Sequence, residues 1–308
     1  MKKYFKNILK FAVSFLLIYL FLSKIQLASV FSDLKTIPPG TIILVLILNL
    51  IAILISIWKW HILLPRISFR EISLANLAGR FYSFILPGQI LGEAAKIYHI
   101  TSGQAIKEKI VASVIVDKLN GVLAILVLGL VGLLFTVKNF GWFFFLLGLL
   151  LLFIVFLFSL RIKIVYDFLF RLFVKFKKLG EVLLSWREYS NRVDLMLFNF
   201  ILGLAFQFIG VYAIFLAAQE LNLQVSFLAL CWVFAAVSAA MLIPVTIAGL
   251  GVREGSFIAL LGLVGVSQEK ALALALVLFA IQIFDAGLGA LAFLYKLCQK
   301  PRVVQLEK

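Results

Sequence analysis

The 308-residue chain is 64% hydrophobic and only 14% charged, with a mean hydropathy of +1.14; a soluble domain is about half apolar and about a quarter charged, so this composition excludes a water-facing globule and makes lipid the solvent. In lipid every backbone N–H and C=O needs an internal partner, and the apolar runs are long and unbroken rather than alternating, which selects helices over a closed barrel. The formal net charge of +15 does not point to nucleic acid, because the basic residues gather between the apolar runs, where a membrane protein keeps its cytoplasmic loops.

Taken in chain order, the first apolar run, 8–23, follows Lys2, Lys3 and Lys6 and contains Lys10. It lacks a small-residue cleavage site and further spans follow, so it reads as a retained first helix with the N-terminus inside. The run 41–64 is long enough to cross and is closed on that same side by Arg66 and Arg70. Residues 72–100 are irregular: a half-length apolar segment, then Leu86-Pro87-Gly88, then a short segment with Glu93 and Lys96. Runs 110–137 and 140–160 each suffice to span. The link 161–192 carries eight Lys and Arg residues, with Ile164, Phe168, Leu172 and Phe176 at helical spacing between them. It reads as an amphipathic helix on the cytoplasmic membrane surface, held by anionic lipid. It divides one transmembrane domain, 1–308, into halves 1–160 and 193–296.

Beyond the link lies the span 194–219, then a second irregular stretch, 225–266. That stretch holds a long apolar segment, Ile243-Pro244, the glycine-rich Ala248-Gly249-Leu250-Gly251, Arg253-Glu254 and a short apolar piece. A last span, 271–295, leads to a basic tail with Lys296, Lys300, Arg302 and Lys308, whereas the opposite side receives only Lys24, Lys35, Lys138 and Lys270. The fold class is therefore all-α, a polytopic helical membrane bundle of about eight segments. Two of its regions are broken by Pro and Gly, with both termini cytoplasmic and an inverted repeat of the two halves as one arrangement. All basic clusters fall inside if 72–100 and 225–266 each make an even or re-entrant excursion. Cys231 and Cys298 sit in or beside apolar helices and form neither a disulfide framework nor a metal site.

Ionisable groups within a membrane cost several kcal/mol and mark a pathway, a site or a structural pair. Asp285 lies near mid-membrane in the last span, with Gln282 three residues earlier on the same face. It reads as a substrate-handling group or as one partner of an interhelical ion pair. Arg253 and Glu254 open a helix after Gly249 and Gly251. Free N–H groups, glycine and a bidentate arginine suit a phosphate, while the plainer reading is an interfacial turn with a helix-start acid. Glu93 and Lys96, three apart on one face, form a surface ion pair or a site. The series Pro87, Gly92, Glu93, Lys96 parallels Pro244, Gly249, Arg253, Glu254, and paired breaks in two halves of a transporter point to a site between repeats. Asp117 and Lys118 lie either at the cytoplasmic interface or inside the 110–137 helix. Arg80, mid-segment, must face protein, water or a headgroup. His61 and His99 lack partners at metal-ligand spacing. No P-loop, GxSxG or HExxH occurs, so no catalytic residue, metal or cofactor is expected.

These same residues carry a resemblance. Leu86-Pro87-Gly88 through Gly92-Glu93-Ala94-Ala95-Lys96 resembles the Pro–Gly–acid–basic motif of the lysylphosphatidylglycerol synthase transmembrane region. Asp117-Lys118-Leu119-Asn120-Gly121 resembles that family's acid–basic–Leu–x–Gly motif. Ile243-Pro244 through Gly249-Leu250-Gly251-Val252-Arg253-Glu254-Gly255 resembles its most specific signature, and the Asp285 helix fits. The likeness runs from the second helix to the last. It implies a flippase-like membrane protein that translocates or binds lipid, with roles for Glu93, Lys96, Asp117, Lys118, Arg253 and Glu254. The family often has Asp and Arg at the positions of Glu93 and Lys96, and Glu–Arg at Asp117-Lys118, so side-chain reach differs here. The chain runs only about a dozen residues past the last helix, so a standalone member without the soluble aminoacyltransferase domain is expected, and synthase activity is not inherited.

The leading expectation is a flippase-like or scramblase-like lipid translocator, binding a phospholipid or lipid-linked headgroup in a polar cavity between the halves. The cationic candidates for its phosphate are Arg253, Lys96, Lys118 and Arg80; Glu93, Glu254 and Asp285 pair those cations when the site is empty or hold a cationic headgroup such as a lysyl group. The alternatives are an accessory or catalytic subunit of a membrane lipid-modifying transferase, a small-solute secondary transporter, and a scaffold. The expected partners are membrane lipid and, in the second case, a lipid-modifying enzyme, but no nucleic acid.

Overall fold

The computed structural model describes residues 27–86, 89–101, 107–136, 144, 147–148, 150–151, 166–168, 177–242, 246 and 248–298. The spans expected at 8–23 and over most of 140–160 lie outside the described residues, as do Pro87-Gly88, Ile243-Pro244 and the tail beyond 298. The described residues form α1 (Leu27–Lys35), α2 (Pro39–His61), α3 (Phe69–Ile85), α4 (Gln89–Thr101), α5 (Lys107–Thr136), α6 (Lys177–Asn191), α7 (Val193–Glu220), α8 (Phe227–Leu242), α9 (Val252–Gly262) and α10 (Gln268–Cys298), with no strand among them. Helices α2, α5, α7 and α10 are long and apolar enough to cross a membrane.

The distribution of side chains is that of a protein in lipid. Ile43, Leu54, Phe135, Leu197, Ile201 and Leu291 stand exposed on the long helices. Meanwhile Lys59, Asn76, Asn120, Asn199, Arg253 and Glu254 are buried. One apolar core gathers α7, α8, α9 and the first part of α10 around Phe257, Leu230 and Leu274. A second gathers α2, α3, α5 and the α6–α7 junction around Trp60, Ile72 and Ile110.

Polar contacts sort the helix ends into two groups. At one end Arg70 of α3 donates to the Tyr295 hydroxyl of α10, Lys296 of α10 donates to the His99 carbonyl of α4, and Tyr189 of α6 donates to the Leu63 carbonyl at 2.8 Å. At the other end Thr41 of α2 donates to Glu220 of α7 at 2.7 Å, and Lys270 of α10 donates to the Asn222 carbonyl at 3.1 Å. Among the described residues, the first end carries Arg66, Arg70, Lys107, Lys109, Arg187, Arg192 and Lys296, and the second carries Lys35 and Lys270.

Both interrupted stretches therefore turn back on themselves, and from opposite ends. Helices α3 and α4 pack along each other and open at the basic end, while α8 and α9 open at the other. The first pair is held close by glycine. A Cβ on Gly92 would lie 2.6 Å from the Gly79 carbonyl oxygen and run into Ser83, so the backbones approach more nearly than any other residue allows. The second pair turns through left-handed backbone at Ala248, Gly249 and Gly251, with φ of 53°, 74° and 83°. Two glycines in three residues meet that requirement. Part of the link, α6, docks on the basic end of the bundle: Tyr189 is buried, and Arg187 lies over the Tyr166 ring at 4.2 Å.

Candidate functional site

A cavity of about 370 Å³ opens among α2, α3, α4, α5, α7, α8 and α10. The walls combine the second half of α2, the facing surfaces of α3 and α4, the middle of α5 and the midpoint of α10. Among the described residues, seven ionisable side chains line it: Lys59, Arg80, Glu93, Lys96, Asp117, Lys118 and Asp285. Further along α5, α7 and α8 the wall becomes apolar, with Val122, Ile125, Leu126, Phe206 and Phe234.

The charges are organised as pairs. Arg80 Nη1 meets Asp285 Oδ2 at 2.6 Å, and Asn49 Nδ2 donates to the other oxygen at 2.6 Å. That node ties α2, α3 and α10 near the middle of the 31-residue α10. Asn76 accepts from Arg80 Nε at 3.4 Å and donates to Ser56 at 3.3 Å, which keeps the guanidinium on this side of α3. Lys59 Nζ meets Asp117 Oδ1 at 2.8 Å and the Asp117 carbonyl at 2.8 Å. Asn199 of α7 donates to the Lys59 carbonyl at 2.7 Å and accepts from Asn120 at 2.9 Å, bracing the same corner. Glu93 faces two lysines, Lys96 at 2.9 Å and Lys118 at 3.6 Å. The i,i+3 spacing of Glu93 and Lys96 sets both heads on one face of α4.

Six of the residues singled out from the sequence thus come together: Arg80, Glu93, Lys96, Asp117, Lys118 and Asp285. Arg253, Glu254, Gly249 and Gly251 do not line the cavity. The Arg253 guanidinium closes on its neighbour Glu254 through Nε at 3.0 Å and through Nη2, donates to Gln282 at 2.6 Å and lies over the Phe279 ring at 4.9 Å. The other Glu254 oxygen accepts from the Gly251 N–H at 2.6 Å, capping α9. With Arg253 only 3% exposed, its guanidinium hydrogen bonds are made within the protein, and it touches Gln282, which lines the cavity. Lys59, Asn49 and Asn76 are not among the sequence candidates. The available signal for Lys59 is its place inside an apolar run, three residues from Ser56 on one helical face.

An all-helical bundle with apolar residues outside and a paired, charged cavity inside defines a polytopic integral membrane protein. The sequence model of the lysylphosphatidylglycerol synthase TM region matches residues 7–289, and the chain belongs to that family, as its motifs imply. It is accordingly an integral membrane protein with a lipid-related role. Neither a curated protein nor a solved structure matches it.

Proposed function

We propose that this protein is a lipid translocator that takes a phospholipid or lipid-linked headgroup into the cavity while the acyl chains remain in the bilayer. The observation that carries the reading is the cavity itself: seven ionisable groups gathered inside a membrane bundle of a lipid-related family. Its volume of about 370 Å³ leaves room for a lipid headgroup. The change from charged wall to apolar wall along α5 fits a substrate with a polar head and an apolar tail. Lys96, Lys118, Lys59 and Arg80 are the proposed headgroup contacts, and Glu93, Asp117 and Asp285 hold those cations when the site is empty.

The two oppositely entering hairpins support an inverted relation between halves 1–160 and 193–296, the arrangement in which discontinuous helices meet around a midplane site. The basic end is proposed as the cytoplasmic one, with both termini there and the basic link 161–192 against anionic lipid.

The test is a dithionite-quench assay in liposomes carrying fluorescent phospholipids. The wild-type protein exposes inner-leaflet label faster than empty liposomes, and Lys96→Gln, verified as folded by thermal unfolding, does not. Wild-type rates equal to those of empty liposomes for every headgroup would remove passive translocation as the function.

A further inference from the structure

We propose that Asp285 is a proton-binding site coupled to the cavity: it gives up Arg80 to an anion entering there and takes one proton from water in exchange. This names the ion that travels with the substrate, and it rests on the translocation reading for the anion, the substrate's phosphate.

The chemistry of the wall cations singles out this acid. Arginine does not lose its proton in a protein, whereas a buried lysine can, so a pair built on arginine changes charge only through its carboxylate. Among the described residues that line the cavity, Asp285 is the carboxylate paired to arginine. Arg80 Nη1 meets Oδ2 at 2.6 Å, and the other oxygen accepts from the neutral Asn49 amide at 2.6 Å. Glu93, by contrast, faces both Lys96 and Lys118, at 2.9 and 3.6 Å. Asp117, held by Lys59 at 2.8 Å, is the sequence neighbour of Lys118. Withdrawing one cation from Glu93 leaves it a second; withdrawing Arg80 from Asp285 leaves it an amide.

The helices around α10 hold no substitute for Arg80. Arg253 and Glu254 of α9 are closed on each other. Arg70 and Glu71 of α3 stand with Tyr295 and Lys296 at the basic end, and Asp194 of α7 stands by Arg192. Asp33 and Lys35 of α1 lie at the other end, near Glu220 of α7, which accepts from Thr41. Lys59 of α2 is on Asp117. Within α10, Asp285 lies about 26 Å from Gln268 and about 20 Å from Cys298, at a rise of about 1.5 Å per residue, so the charges of Glu269, Lys270 and Lys296 are remote from it.

Arg80 lines the cavity beside Asp285. A guanidinium grips a phosphate through two parallel hydrogen bonds, so a phosphate in the cavity competes with Asp285 for it. A carboxylate left without its cation inside a membrane bundle is costly. A hydronium ion gives one proton to Oδ2 and becomes water, and the cost is removed. One negative charge and one proton thus enter together, and the step carries no net charge.

The full chain is reconstituted in liposomes with acyl-labelled phosphatidylglycerol, whose phosphate keeps one negative charge near neutral pH. The medium is held at one pH, and the interior is set about one unit more acid or more alkaline. Dithionite reads the share of label in the outer leaflet at steady state. One proton per lipid is expected to enrich the label on the alkaline side, by up to about tenfold per pH unit, and nigericin with potassium abolishes the enrichment. In parallel, infrared spectra are compared at neutral pH for wild type, Arg80→Gln and Arg80→Gln/Asp285→Asn. Arg80→Gln is expected to show the C=O stretch of a protonated carboxylic acid that wild type lacks, and adding Asp285→Asn removes it.

Label that moves but ignores the pH difference, or a folded Arg80→Gln without the acid band, overturns proton coupling and leaves translocation standing. So does an Arg80→Gln chain that folds only when Asp285→Asn is added, because an acid able to take a proton leaves no buried charge to relieve. The acid band without lipid movement by the wild type supports the proton site and overturns translocation. Neither band nor movement overturns both. If neither variant folds, the wild-type leaflet ratio decides alone: a ratio that follows the pH difference supports the coupling, and any other result overturns it.

Discussion

The hairpins α3–α4 and α8–α9 begin from nearly the same ingredients: a proline break, a glycine, a cation and an acid. They use them in opposite ways. In α4, Glu93 and Lys96 lie three residues apart, so both heads project from one face into the cavity, where Lys118 joins them. In α9, Arg253 and Glu254 are adjacent in the first turn, and Glu254 reaches back to the Gly251 N–H while the guanidinium folds onto it. What the second hairpin offers the cavity comes instead from α8 and is uncharged: Phe234, Ala235, Ser238 and Ala239. One hairpin presents charge to the cavity; the other uses its charge to close its own turn.

Arg253→Ala probes that contrast hardest. It leaves Glu254 buried without its cation, and removing one partner of a buried pair costs about 3–5 kcal/mol. Thermal unfolding in detergent should show a large fall in midpoint with little folded protein recovered. A variant that unfolds normally yet has lost lipid movement would mean that α9 faces the ligand after all. The next effect is expected at Gly92→Ala, where the new methyl meets the Gly79 carbonyl and Ser83 and the strain amounts to about 1–3 kcal/mol. Gly287→Ala, with nothing within 4 Å of the added carbon, should leave stability unchanged or raise it, which makes it the control for close packing in the first hairpin.

Tyr189→Phe removes the hydrogen bond to the Leu63 carbonyl beside the root of α3 and should cost about 1 kcal/mol. Burial, reinforced by Glu188, pushes the Tyr189 phenol up from its ordinary range, so the group stays neutral and donating through alkaline pH. Because the folded-state phenol titrates above the unfolded one, its stability contribution is intact below the ordinary tyrosine range of about pH 10 and falls as pH rises past it, so the wild type should lose stability there more steeply than Tyr189→Phe. The smallest effect on stability belongs to Lys118→Gln, within about 0.5 kcal/mol for a part-exposed charge, although lipid movement should fall. A stability loss as large as that of Arg253→Ala would place Lys118 among the structural pairs and erase the difference between the hairpins.

Length and apolarity alone locate α2, α5, α7 and α10 in the sequence, because a bilayer imposes a minimum span, and Pro and Gly mark where 72–100 and 225–266 break. The direction of each break is not legible there, since an even crossing and a re-entrant turn satisfy the same charge asymmetry; only contacts such as Lys296 to His99 decide it. The rarity of charge in lipid flags Asp285, Arg80, Glu93 and Lys96 as residues needing partners. It does not say which partner each takes. For Arg253 the neighbour one residue away wins, a geometry that helical spacing disfavours and that the glycine turn before α9 permits. Lys59 lies inside the 41–64 run, but the partner that draws its ammonium inward, Asp117, is 58 residues away, so helical spacing does not reveal the pair.

Helix α10 carries Gln282 and Asp285 one turn apart, and through them it grips both hairpins: Gln282 holds Arg253 of α9, and Asp285 holds Arg80 of α3. Its two extremities are fastened as well, by Lys270 to the Asn222 carbonyl and by Lys296 to the His99 carbonyl. A rotation of this one shaft by a single residue, about 100°, would carry both side chains off their partners together. Both hairpins are therefore fastened to one helix, and a substitution that shifts α10 should disturb the Arg80 and Arg253 contacts together.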